Sequence, residues 1–307
     1  MRIRTSMLVA LVGVLAGCGG SGSGLTVAPS SAPPTASASS TASPSTATAS
    51  SPEPLLTPDR SKPVGLIAMG HSGITGEGTG APGQAVPEDS WATGTAPEVN
   101  SVYLRMVGES PETESHVANA GHGAASASEL AGMADQALRD VPVPALSIIQ
   151  TIDNDIQCDG SDSARMDAFG DSVRIAIQKV VDASPNGHVL VVGQLGRPRA
   201  AFLDQLVAKD PSQRDALSGT GPCDFFDPSG ELNKEHLANL TAIIEAFEAE
   251  QAKVCAEFTQ CTTDGGVRAA YVDTLANFSP DWNHLNVHGQ AAEAELIWPV
   301  VQKILGQ

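Results

Sequence analysis

Five short apolar, β-prone runs recur between residues 62 and 307, at Val64–Met69, His116–Ala120, Ala145–Ile152, His188–Val192 and Arg268–Val272. Stretches with helical spacing lie between them. Phe169, Val173, Ile177, Val180 and Val181 fall on one side of Ala164–Ala183, and Leu237, Leu240, Ile244, Phe247 and Val254 do the same in Leu232–Phe258. Near the C-terminus, Ala291, Ala294, Ile297, Val300 and Ile304 share a face of Val287–Leu305, which Pro299 should kink. Short, continuously apolar strands interleaved with helices are buried on both faces. The pattern predicts a three-layer α/β/α domain around a central five-stranded parallel sheet. Ligands of such sheets bind beyond the carboxyl ends of the strands, so the strand-to-helix loops are where chemistry is expected.

A chain of 307 residues would suggest two domains at about 150 residues each, but the composition is uneven. Met1-Arg2-Ile3-Arg4, the apolar run Met7–Leu15 and the ending Leu15-Ala16-Gly17-Cys18 have the three-part order of a secretory signal. The apolar run is shorter than the roughly 20 residues that span a bilayer. The ending resembles a bacterial lipobox, which implies a signal peptide over residues 1–17 and a lipidated Cys18 carrying palmitate-type acyl chains. Residues 18–61 are almost entirely Ser, Thr, Ala, Pro and Gly. They bury too little apolar surface to offset their ordering entropy and are expected to form a disordered tether. Residues 62–307 then form one domain, expected on the extracytoplasmic side of the cell membrane and held there by the lipid. The formal charge of −18 argues against nucleic acid as a partner and against adsorption to anionic lipid through a basic patch.

Three of the expected loops, and one segment before the last helix, carry polar signatures. Met69-Gly70-His71-Ser72-Gly73 ends the first run, Asn119-Ala120-Gly121-His122-Gly123-Ala124-Ala125-Ser126 the second, and Asp153-Asn154-Asp155 the third. Asp281-Trp282-Asn283-His284-Leu285-Asn286-Val287-His288-Gly289 precedes the last helix. Singly these are ordinary loop residues. Their ordered placement in four successive loops carries more information than any one of them.

On these motifs the chain resembles the SGNH, or GDSL-type, serine hydrolases from about Val64 to the C-terminus. Gly70-His71-Ser72 is similar to the family's first block, with His71 where the family usually has Asp. Asn119–Ser126 is similar to the second block and is one residue short. Asn154-Asp155 is similar to the third block, and Asp281-x-x-His284-x-Asn286-x-x-Gly289 to the fifth. The resemblance implies a flavodoxin-like fold and a carboxylic-ester hydrolase with Ser72 as nucleophile, His284 as base and Asp281 as acid. It also implies an oxyanion hole from the Ser72 backbone, the Asn154 side chain and the Gly123 backbone, with Gly121 as the other choice. The family's substrates include simple, lipid and glycan esters, and short acyl or acetyl esters are favoured here.

The chemistry agrees without the family. Ester hydrolysis needs a nucleophile, a base that takes its proton, a group that orients the base, and donors for the oxyanion. No metal or organic cofactor is required: His284 and His288 have a spacing that a metal pair could use, but no Cys or third His lies nearby. An α/β-hydrolase elbow reads Gly-x-Ser-x-Gly, and Ile74 stands where its second Gly belongs. The other functional class is a non-catalytic surface protein that binds glycans or acyl groups on the same fold.

Beyond Cys18 there are four cysteines, an even set in a chain with an export signal. Of the three pairings they allow, Cys158–Cys223 and Cys255–Cys261 are expected; four reduced thiols are the alternative. Phe225 and Phe226, in the long segment Arg197–Gly230, either line the substrate site or pack in the core.

Overall fold

The structure is a computed structural model that describes residues 59–306. The expected signal peptide, the expected lipidation site Cys18 and the expected tether up to residue 58 lie outside the described residues. The strands are β1 (Leu66–Gly70), β2 (Val117–Asn119), β3 (Leu146–Gln150), β4 (His188–Val192) and β5 (Cys261–Thr263). They form one sheet in the order β2-β1-β3-β4-β5, every pair parallel. This is the doubly wound, flavodoxin-like order, whose switch point lies between β1 and β3.

The helices are α1 (Val102–Glu109), α2 (Leu130–Asp140), α3 (Asp162–Ala183), α4 (Ala200–Lys209), α5 (Ser212–Ala216), α6 (Lys234–Cys255) and α7 (Val287–Leu305). Alternation along the strands divides the core in two. Ile67, Met69, Ile149, Val189 and Val191 face a cluster containing Leu130 and Met133 of α2, Val173 and Ile177 of α3, and Ile244 and Phe247 of α6. Leu66, Ala68, Leu146, Ile148, Leu190 and Val192 face Val102 and Met106 of α1 and Ala294, Ile297 and Val301 of α7. Both faces are therefore closed, and side chains such as Ile297 and Val301 each contribute about 1.5–3 kcal/mol by leaving water. No helix among the described residues is long and apolar enough to cross a membrane.

Helix ends are set by local chemistry. Asn233 and Asn286 accept backbone N–H bonds from His236 and Gly289 and so cap α6 and α7. Gly306, left-handed at φ +73°, stops α7. The helix runs through Pro299 as one element, with that ring exposed.

The fifth strand differs from the sequence expectation. Arg268–Ala270 is part of a turn and Tyr271 and Val272 are irregular, and the strand that pairs with β4 is the polar Cys261–Thr263. An edge strand three residues long needs little apolar content, and Gly265 and Gly266, both at positive φ, turn the chain away directly after it. Arg268 is buried to meet an acid of α7, and Val272 is 61 % exposed. Phe225 and Phe226 are buried in the α2–α3–α6 cluster, so they belong to the core.

Both disulfides have the expected pairing, Cys158–Cys223 across 65 residues and Cys255–Cys261 across 6. Chain-entropy arguments give about 4 kcal/mol for the longer loop and about 2 kcal/mol for the shorter. Replacing both cysteines of the long pair by Ala is expected to lower unfolding free energy in denaturant titrations by more than the same change at the short pair. Equal losses would contradict this ordering.

Candidate active site

The carboxyl end of β1 is shaped by close backbone contact with β3. A Cβ on Gly70, whose φ is +147°, would stand 1.8 Å from the Gln150 carbonyl oxygen, so only glycine fits. The chain then enters a 3-10 turn, Ser72–Ile74, capped by His71, whose Nδ1 accepts the Gly73 N–H at 3.1 Å. Ser72 thus sits at the first position of a short turn, its backbone N–H without a partner among the described residues.

Asp281 and His284 lie on a loop pinned from several sides. Ser279 N–H donates to the His284 carbonyl, and Asn286 donates through Nδ2 to the carbonyls of Ala276 and Phe278 while capping α7 through Oδ1. Trp282 donates from Nε1 to Asp210, fastening the loop to the α4–α5 junction. Within this frame His284 Nδ1–H donates to Asp281 Oδ2 at 2.8 Å, and Ser72 Oγ–H donates to His284 Nε2 at 3.0 Å. Asp281 Oδ1 accepts from Ser279 Oγ and from the backbone N–H groups of Asn283 and His284. Burial pushes the Asp281 carboxyl upward, but the bonds from His284, Ser279 and the backbone outweigh it and hold the group well below the usual carboxylate range. An ionised carboxylate fixes the Nδ1–H tautomer, leaving Nε2 free to take a proton from the serine hydroxyl.

The cleft at Ser72 has a polar floor. Arg268 is buried with its Nη2 2.8 Å from Glu293 Oε1, and its Nε and Nη1 have no hydrogen-bond partner among the described residues. Burial raises Glu293 and Asp273 to about 7 and pushes Asp153 well above its usual value, despite the Arg268 charge. Burial, with Arg268 and His284 adding to it, lowers His71 to about 3. His71 is therefore neutral, and its Nε2–H donates to Asp153 Oδ2 at 3.1 Å. Of this floor, the sequence motifs contain His71, whereas Arg268, Asp273 and Glu293 lie on a loop and a helix face with no motif around them.

Of the other expected donors, Gly123 stands on the loop after β2, where Glu77 Oε2 is 3.1 Å from the place of a Gly123 Cβ and Glu77 Oε1 is 3.7 Å from His284 Nε2. Asn154 Nδ2 donates to the Ala125 carbonyl at 2.9 Å beside a second cleft bounded by Ser126, Gln157 and Phe169. Gly121 N–H is taken by Asn119 Oδ1, whereas Gly123 N–H has no partner among the described residues. Ile152, in the same loop as Asn154, is fully buried at φ +101°. A β-branched residue there costs about 1–3 kcal/mol, which the surrounding packing holds in place. His122 is exposed and 3.3 Å from Glu129.

No protein-family model matches the sequence, and no curated protein sequence does. Solved structures do. An extracellular lipase from Streptomyces rimosus superposes with a TM-score of 0.50 at 15 % identity, covering 78 % of this chain and 99 % of that one. TesA gives 0.48 at 14 %, covering 78 % and 98 %, and a GDSL-like lipase from Parabacteroides merdae gives 0.47 at 12 %, covering 80 % and 96 %. The chain shares its three-layer α/β/α fold with the Streptomyces lipase.

The raised carboxyls on the cleft floor have a measurable consequence. Between pH 3.8 and about 7 the unfolded state has released the Asp273 proton and the folded state keeps it, so stability falls as pH rises through this window and the cost is constant above it. Relative to Asp273→Asn, the wild type is expected to lose unfolding free energy from pH 4.5 to about 7 in denaturant titrations. Parallel curves for the two proteins would show that Asp273 ionises normally.

Proposed function

We propose that the chain is an ester hydrolase of the SGNH type that works through a Ser72–His284–Asp281 triad and an acyl-enzyme. The observation that carries the reading is the hydrogen-bonded series from Ser72 Oγ through both imidazole nitrogens to Asp281 Oδ2. His284 takes the Ser72 proton as Oγ attacks the ester carbonyl, and the imidazolium formed is stabilised by Asp281. The proton then passes to the leaving alcohol. Water, deprotonated by His284 in turn, attacks the acyl-serine and releases the acid. The Ser72 and Gly123 N–H groups are proposed as oxyanion donors, and the Nδ2 hydrogen of Asn154 that Ala125 does not use is the third. Each such donor is worth about 2.7–4 kcal/mol in the transition state.

The polar floor argues for short acyl groups. A long alkyl chain entering this cleft would lie against Arg268 and Asp153 and leave their unpaired buried polar atoms without hydrogen bonds. Outside the described residues, the lipobox-like Leu15-Ala16-Gly17-Cys18 supports a lipid anchor at Cys18 and a site held at the extracytoplasmic face of the membrane.

A fluorophosphonate probe is expected to label the wild type and not Ser72→Ala, and activated acetate esters to be hydrolysed only by the wild type. Asp281→Asn should lower kcat by roughly 10⁴, as expected when the orienting carboxylate is removed. Lengthening the acyl group from acetyl to octanoyl should lower kcat/KM. An unlabelled Ser72 together with no ester hydrolysis would leave the glycan- or acyl-binding reading in its place.

A further inference from the structure

We propose that Glu77 makes this site selective for esters that carry an ammonium group close to the scissile carbonyl. The catalytic arm of this proposal rests on the ester-hydrolase reading above. Glu77 lies in the segment that follows the Ser72 turn, and its side chain is 12 % exposed. Its Oε1 is 3.7 Å from His284 Nε2, the nitrogen that faces Ser72. Its Oε2 is 3.1 Å from where a Cβ on Gly123 would stand, so the carboxylate lies between the imidazole and the loop after β2.

The backbone keeps it there. Gly78 adopts φ +98°, and a Cβ on it would come within 2.4 Å of His284 Cβ and 2.8 Å of the Leu285 carbonyl oxygen. The segment is thus pressed against the turn that carries the base.

This carboxylate is unlike the other acids around the site. Asp281 is surrounded by donors, while Asp153, Asp273 and Glu293 lie near Arg268 on the floor. Glu77 accepts no hydrogen bond through its side chain among the described residues, and the imidazole of His284 is the one titratable group within 4 Å of it there. Mostly buried without donors, it gains from any cation that enters. It also stands near the place where the ester carbonyl gathers negative charge, which it opposes unless a positive group lies between. A substrate ammonium meets both demands: it donates to Glu77 and offsets the developing oxyanion. The chain's net charge of −18 raises cation concentration around the cleft and disfavours anionic esters.

The test uses a matched pair, dimethylaminoethyl thioacetate and its uncharged isostere isopentyl thioacetate, with dimethylaminoethanol as a binding probe. The proteins are wild type, Glu77→Gln, Ser72→Ala, and Glu88→Gln as an exposed-charge control whose activity stays at the wild-type level. Wild type and Glu88→Gln are expected to prefer the cationic thioester about tenfold or more in kcat/KM, chiefly through KM. In Glu77→Gln the ratio should fall close to unity, with isopentyl thioacetate hydrolysis at or above the wild-type rate and melting temperature retained. By calorimetry, dimethylaminoethanol should bind wild type and Ser72→Ala alike and Glu77→Gln about tenfold more weakly. Unchanged ratio and binding in Glu77→Gln would overturn the proposal, as would an equal loss on both thioesters. If wild type cleaves neither thioester, the esterase reading falls and calorimetry alone decides Glu77: weaker binding by Glu77→Gln sustains it and equal binding overturns it.

Discussion

A parallel sheet has no face to spare for water. Its strands are closed on one side by α2, α3 and α6 and on the other by α1 and α7. The chain can then present polar groups in quantity only where it leaves the strands, and that requirement organises the rest of the molecule. Ser72 follows β1 directly, because Gly70 lets the backbone lie on β3 and turn at once. Asp281 and His284 reach the same edge from the other end of the chain, on the loop that leads into α7, which packs against β4 and α1 on that face of the sheet. Sheet closure and assembly of the hydroxyl–imidazole–carboxylate series are one packing event seen from two sides.

The same helix carries the counter-charge of the cleft floor. Glu293 of α7 meets Arg268 from the turn after β5, and both are almost wholly removed from solvent. Such a pair adds little net stability, because desolvation consumes most of the attraction, but breaking it strands a charge. It therefore favours one register of α7 against the sheet. Asn286 fixes the beginning of the helix in a comparable way by bonding the loop before it and the first turn after it. With α7 held at these two points, the His284 imidazole has little freedom to drift from the serine.

Much of this was legible in the sequence. The alternation of apolar runs and helical stretches pointed to the five-stranded parallel sheet, and the last helix has the expected bounds. The motifs around Ser72, Asp281 and His284 were readable because each sits where a strand or helix ends and periodicity stops. The fifth strand was misplaced because an edge strand of Cys261–Thr263 has no apolar signature, whereas Arg268–Val272 imitates one. Arg268, Asp273 and Glu293 stayed hidden for a different reason: nothing in one dimension distinguishes a buried charge from a solvated one. Glu77 was equally silent, as a glutamate in a Gly-rich turn reads as surface. The orientation of Asn154 depends on the Ala125 carbonyl, 29 residues away, and no local pattern could supply it.

The separation of 212 residues between the serine and its imidazole partner also gives the site a direction in time. During synthesis the hydroxyl is made among the first residues of the domain and the base among the last. Any chain arrested, clipped or misfolded before α7 has docked carries a Ser72 hydroxyl with no imidazole beside it. Under the proposed mechanism, partial products of this protein are chemically quiet and reactivity begins only when the final helix closes the sheet.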